Sequence, residues 1–159
     1  MPDISQSKYL ENLWDVTAAS GMNEADKLLY RSNLLGSDMR VTNYGGGNTS
    51  AKVIESDPLT GDPVEVLWVK GSGGDIGSIK MDGFSTLYME KLLALKGIYR
   101  GPDHEDEMVG YLPHCTFNLN PRAASIDTPL HAFVSRKHVD HVHADRKSTR
   151  LNSSHTSIS

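Results

Sequence analysis

Two glycine clusters bracket a pair of strand-like segments in this chain of 159 residues: Gly45-Gly46-Gly47, which runs into Asn48-Thr49-Ser50, and Gly71-Ser72-Gly73-Gly74, which follows Lys70. Glycine reaches positive φ at no steric cost, so each cluster reads as a loop. Between them, residues 51–55 and 64–69 alternate or run apolar, and the octet Ser56-Asp57-Pro58-Leu59-Thr60-Gly61-Asp62-Pro63 is crowded with turn formers. The pattern predicts an antiparallel hairpin with a glycine loop at each outer end. A hairpin set among helices does not fit a regular βαβ alternation. The predicted class is therefore an α/β sandwich with an antiparallel or mixed sheet rather than a Rossmann fold.

The helices are predicted from apolar spacing and end signals. Residues 23–35 form an amphipathic helix with Leu28, Leu29, Leu34 and Leu35 for burial, Asn23 as N-cap and Gly36 as the stop. Residues 84–95 read as a helix with Leu87, Leu92, Leu93 and Leu95 inward and Gly97 beyond its end. Residues 105–112 read as a short helix whose Glu105-Asp106-Glu107 start is a solvated face. Another begins at Thr128-Pro129, with proline in the first turn, and runs to about Arg136. His138 to His143 reads as the start of a strand.

Composition narrows the function classes. Hydrophobic content of 38% and charged content of 23% suit a globular protein and exclude wholesale disorder. The net charge of −4 argues against a general nucleic-acid binder, and the tryptophans and tyrosines are too scattered for a base-stacking platform. No apolar run approaches the roughly 20 residues that span a membrane. No basic, then apolar, leader follows Met1. Cys115, the single cysteine, has no internal disulfide partner and no strongly basic context that would activate it. A reducing cytoplasm is the expected location.

The strongest chemical signal is His141-Val142-His143. On a strand, residues i and i+2 share a face, so two imidazoles converge, an arrangement suited to Zn²⁺ or a similar ion. The competing interpretation is a pair of solvated histidines on an edge strand. A catalytic zinc site takes at least one more protein ligand. His104, His114, His131 and His138 are all candidates, as is a residue in sequence further on. The glycine loops expose backbone N–H groups beside small hydroxyls, as anion-binding loops do, yet neither matches a nucleotide-binding glycine motif. Within Ser125-Ile126-Asp127-Thr128-Pro129, either Asp127 or Thr128 reads as the cap of the next helix, or Asp127 reads as a carboxylate facing a metal held by His141 and His143.

The ordered set Glu24-Ala25-Asp26…Leu35-Gly36, Gly47-Asn48-Thr49-Ser50, Lys70-Gly71-Ser72-Gly73, Ser125-Ile126-Asp127-Thr128-Pro129-Leu130-His131 and His141-Val142-His143 resembles the class II aldolase/adducin family. It is most similar to the long form that joins a rhamnulose-1-phosphate aldolase domain to a short-chain dehydrogenase. The resemblance implies an α/β/α sandwich with a mixed, largely antiparallel central sheet, C-terminally truncated here. It implies Zn²⁺ held by His141 and His143, with a third histidine ligand downstream of this chain. It places the substrate phosphate on Asn48, Ser72, Gly73 and Ser125, and the catalytic acid/base at Asp127. Many members carry Glu at the position of Asp127, Ser at that of Ile126 and Thr at that of Lys70. The implied reaction is cleavage of a ketose 1-phosphate, L-rhamnulose 1-phosphate above all, to dihydroxyacetone phosphate and L-lactaldehyde. Epimerases and dehydratases of the same fold, and a non-enzymatic adducin-like interaction domain, are the alternatives. The implied partners are a phosphorylated sugar and further copies of the parent chain.

Residues 145–159 stand apart. Seven of these fifteen are Ser or Thr, and they carry a charge of +2 against −6 for residues 1–144. Asp-Arg-Lys-Ser-Thr-Arg-Leu-Asn-Ser-Ser-His resembles the in-frame translation of a sequencing adapter. The expected organisation is an incomplete aldolase-like domain over 1–144 and a non-native polar tail over 145–159. With the third metal ligand beyond its end, the chain alone is expected to be inactive.

Overall fold

The computed structural model describes residues 11–144. The predicted tail over 145–159 lies outside the described residues. After a single turn, α1 (Val16–Ala19), capped by the Asp15 carboxylate, the chain enters α2 (Glu24–Ser37). The Asn23 side chain accepts from the Asp26 N–H at 2.8 Å, as the sequence predicts, and Glu24 and Asp26 lie in the positive first turn. Gly36 does not stop the helix. It lies inside the last turn because the helix packs directly on backbone there: a Cβ at Gly36 would stand 2.0 Å from the Gly77 nitrogen.

The predicted hairpin is present as β1 (Asn48–Ser56) and β2 (Pro63–Lys70), paired antiparallel with Ala51 opposite Trp68 and Val53 opposite Val66. Both strands run further toward the glycine loops than the apolar pattern reaches. The connection is held by Asp57, whose carboxylate accepts from the Leu59 and Thr60 N–H groups.

The predicted helix over 84–95 is corrected. Phe84–Tyr88 is a strand, β3, paired antiparallel with β2, and only Met89–Ala94 is helical, as α3. Leu87, Leu92 and Leu95 are all buried in one cluster, so apolar spacing alone does not separate the two elements. The distinction lies in the Phe-Ser-Thr-Leu-Tyr run, whose aromatic and β-branched residues suit a pleated surface.

α4 (Glu105–Tyr111) and α5 (Thr128–Phe133) follow, then β4 (His138–His141). α5 ends before Arg136 because the carbonyls of Val134 and Arg136 turn away to accept from the Lys52 ammonium. The sheet order is β3-β2-β1-β4, and every pairing among the described residues is antiparallel.

Each face of the sheet is covered. On one, α2 brings Leu28 and Leu29 onto Ala51, Val53, Trp68 and Phe84. On the other, α3, α4 and α5 bring Met89, Leu92, Met108 and Ala132 onto Leu67, Val69 and Leu87. Fully burying Leu28 contributes about 2 kcal/mol, whereas the half-exposed Glu24–Lys27 pair contributes at most about 0.5, so packing holds α2 in place. Cys115 lies in the second cluster, and burial pushes its thiol pKa up, consistent with an inert side chain. No helix among the described residues is long and apolar enough to cross a membrane.

Candidate metal and phosphate site

The site forms where β4, the first glycine loop and the start of α5 meet. His141 is the last residue of β4 and pairs with Asn48 at the start of β1. Arg31 of α2 fixes that edge: its guanidinium donates to Asp140 Oδ1 at 3.1 Å and to the Ser50 carbonyl at 2.7 Å, and lies 3.1 Å from His138 Nδ1. The first glycine loop packs against the two histidines. A Cβ at Gly47, where φ is +82°, would stand 2.7 Å from the His141 carbonyl oxygen, and one at Gly46 would stand 3.4 Å from His143 Nδ1. Glycine at 47 is therefore required both by conformation and by the close approach of β4.

His143 lies two residues beyond the strand, yet its Nε2 is 3.1 Å from Nε2 of His141. Two nitrogens bound to a tetrahedral zinc at 2.0–2.1 Å stand about 3.3 Å apart, so the pair is spaced as two zinc ligands would be. The other ring nitrogen of His141, Nδ1, is buried with no hydrogen-bond partner, and Asp127 Oδ2 lies 3.7 Å from it. A carboxylate behind a ligating imidazole fixes its orientation. These donors fit a divalent cation. Three or more His, Cys, Asp or Glu side chains do not converge anywhere among the described residues. None of the four histidine candidates for a third ligand joins the pair: His138 faces Arg31, His104 faces Glu107, the His131 Nδ1 is bonded to Ser50, and His114 belongs to no such group.

Asp127 occupies the N-cap position of α5, but its side chain makes no capping hydrogen bond, which removes the cap interpretation left open by the sequence. Ser125 Oγ, in a buried residue, accepts from the Asp127 N–H at 3.3 Å, and the Ser125 carbonyl accepts from Thr128. The Asp127 carboxylate is thus held near His141 by the turn and accepts no hydrogen bond among the described residues.

The two glycine loops are tied together. Asn48 Nδ2 donates to the Lys70 carbonyl at 3.2 Å, and Asp75, just after the second loop, accepts from the Gly45 N–H at 3.1 Å. The second loop is joined to the Ser125 segment by the Ser72 N–H to the Ala123 carbonyl at 3.0 Å and by a bridge between Gly71 and Ala124. Asn48, Ser72, Gly73 and Ser125 therefore belong to one connected group of loops. Gly73 has φ +77° and open space where a side chain would stand. Asn48 is buried and its amide is engaged with backbone, while Ser72 and Gly73 are exposed.

Sequence reasoning did not single out the contact that joins α5 to this edge. His131 is fully buried. Its Nδ1 is 2.7 Å from Ser50 Oγ, which in turn donates to the Val139 carbonyl at 3.2 Å. With the serine proton used on Val139, the imidazole donates from Nδ1 and is neutral. Burial pushes its pKa down to about 4.

Comparison with known proteins agrees with this architecture. No protein-family model matches the chain. It is 44% identical over 137 residues to a Bacillus subtilis (strain 168) protein named uncharacterized oxidoreductase YuxG, a match covering 86% of this chain and 19% of that protein. It superposes on the N-terminal class II aldolase domain of a conserved protein from Thermoplasma acidophilum with a TM-score of 0.71 and 34% identity, covering 97% of this chain and 66% of the other. The chain thus spans about a fifth of the curated relative and just under two thirds of the solved domain. Its fold, a mixed helix and strand structure around an antiparallel sheet, is that of a class II aldolase domain.

Proposed function

We propose that this chain is part of a metal-dependent class II aldolase that cleaves a ketose 1-phosphate, with L-rhamnulose 1-phosphate as the first substrate to test and dihydroxyacetone phosphate and L-lactaldehyde as its products. The observation that carries the proposal is the facing pair of Nε2 atoms on His141 and His143, 3.1 Å apart, with Asp127 3.7 Å behind His141. His141 and His143 would hold a divalent cation, Zn²⁺ by the likeness to class II aldolases, and the chemistry it supplies is Lewis-acid stabilisation of the charge that develops on the substrate carbonyl oxygen. The third protein ligand is not among the described residues and, by the likeness to class II aldolases, is expected further along the parent protein.

Asp127 serves as the general acid/base. Its carboxylate is half-exposed and makes no capping bond, so it is available to move a proton at the carbon where the bond is broken or made. Ser72 and Gly73 present an exposed loop, backed by Asn48 and Ser125, on which the phosphate rests away from the reacting bond. Binding there positions the sugar without contacting the carbons that change. The oxidoreductase name of the curated relative supports a dehydrogenase region joined to the aldolase region in the parent protein.

The test is triose release. The parent protein, incubated with L-rhamnulose 1-phosphate and Zn²⁺, is expected to produce dihydroxyacetone phosphate, detected by coupled reduction. Interconversion of sugar phosphates without triose release would reject the aldolase in favour of an epimerase. Absence of both metal affinity and turnover would favour an interaction domain.

A further inference from the structure

The strand that carries His141 is held by few backbone pairs. β4 pairs with β1 only over Asn48–Ala51, and its outer edge pairs with nothing among the described residues. Alternation gives the strand two faces. His141 looks toward Asp127 and the start of α5, while His138 and Asp140 point the other way, to α2.

A single side chain of α2 takes hold of that second face. The Arg31 side chain is 17% exposed and commits each of its three nitrogens to a different partner. Nε donates to Asp140 Oδ1, Nη2 donates to the Ser50 carbonyl, and Nη1 lies against His138 Nδ1. Ser50 is paired with Val139, which stands between His138 and Asp140. The planar fork of the guanidinium, with its fixed donor directions, therefore ties β4 to β1 two residues before His141. The helix behind it is anchored in turn. Ser32 is fully buried with its Oγ 2.6 Å from Thr49 Oγ1, and Asn33 donates to the Ile76, Gly77 and Ile79 carbonyls.

We propose that Arg31 is a positioning residue of the metal site, acting through Asp140 and Ser50 to hold β4 so that His141 keeps its spacing from His143. The inference rests on the reading of those two histidines as metal ligands. Charge makes it decidable. A guanidinium near a divalent cation repels it, so Arg31 acting only as a charge weakens metal binding. Arg31 acting as a clamp strengthens it. The two roles predict opposite signs when the side chain is replaced. By linkage, whatever Arg31 adds to metal affinity the metal returns to the clamp.

The experiment is titration of the chain with Zn²⁺, read by the imidazole resonances well below the melting temperature of each protein, beside Arg31→Lys, Arg31→Met and Glu24→Gln. Lysine keeps the charge and loses the fork, and methionine keeps an apolar stem and loses both. Both variants are expected to bind zinc about tenfold more weakly, the order seen when the support behind a ligand is lost. Glu24→Gln breaks the ion pair of α2 with Lys137, four residues before His141, and controls for a general loosening of the strand. It is expected to bind zinc within about twofold of the wild type. In the wild type itself, the Arg31 Nε–H is expected to exchange with water more slowly once zinc is bound, a readout that requires no variant to fold. Zinc affinity in either Arg31 variant equal to or above that of the wild type, an equal loss in Glu24→Gln, or Nε–H exchange indifferent to zinc overturns the proposal. A wild type that binds no zinc rejects the metal reading and the clamp with it. Zinc bound at His141 and His143 without dependence on Arg31 rejects the clamp alone.

Discussion

His131 makes the chain sensitive to acid, and the size of the effect follows from its burial. The imidazole is fully buried and its pKa is pushed down to about 4, against about 6.5 in an unfolded chain. Between these values the unfolded state binds the proton and the folded state does not. The stabilisation is complete above pH 6.5 and is lost as pH falls toward 4. At 1.36 kcal/mol per unit, the loss attributable to His131 is about 2 kcal/mol by pH 5 and roughly 3 kcal/mol once pH is below 4. Urea unfolding of the wild type and of His131→Asn, with metal chelated, measures this directly. The groups common to both proteins cancel in the difference. The stability advantage of the wild type is expected to shrink by about 2 kcal/mol between pH 7 and pH 5. A difference that stays flat across that interval would refute the assignment of His131 as a buried neutral imidazole donating to Ser50.

Three further outcomes follow from the same geometry. Gly47→Ala is expected to cost about 2–3 kcal/mol in urea unfolding, from positive φ combined with a 2.7 Å clash on the His141 carbonyl, while Gly61→Ala, with positive φ and open space, costs about 1 kcal/mol. Asp127→Asn is expected to leave stability within about 0.5 kcal/mol, since the carboxylate makes no capping bond, yet to lower triose release by the parent protein about 100-fold or more. Leu87→Ala removes a fully buried side chain between β3 and α3 and is expected to cost about 3 kcal/mol of unfolding free energy.

The parts of this fold that depend on neighbours in sequence were legible beforehand. The Asn23 cap, the β1–β2 hairpin and the convergence of His141 with His143 all follow from residues within a few positions of one another. β3 is not legible in the sequence because Leu87, Leu92 and Leu95 satisfy a helical period while Leu87 also satisfies a strand pairing, and only contact with β2 decides between them. The early end of α5 depends on Lys52, far away on β1. The same holds at the site. The role of Asp127 depends on the missing capping bond, which the sequence does not show, and His131 finds Ser50 across 81 positions. Gly46 and Gly47, read as anion-loop residues, also serve to let β4 approach.

The account turns on His141 and His143 gripping a divalent cation together. Titration of the chain with Zn²⁺, read by the imidazole proton resonances of every histidine, tests it most directly, with the His141→Ala, His143→Ala double variant and His138→Ala alongside. The expected result is one weak site that moves the signals of His141 and His143, survives His138→Ala and disappears in the double variant. Zinc that leaves those two signals in place, or binds the double variant as well as the wild type, would contradict it.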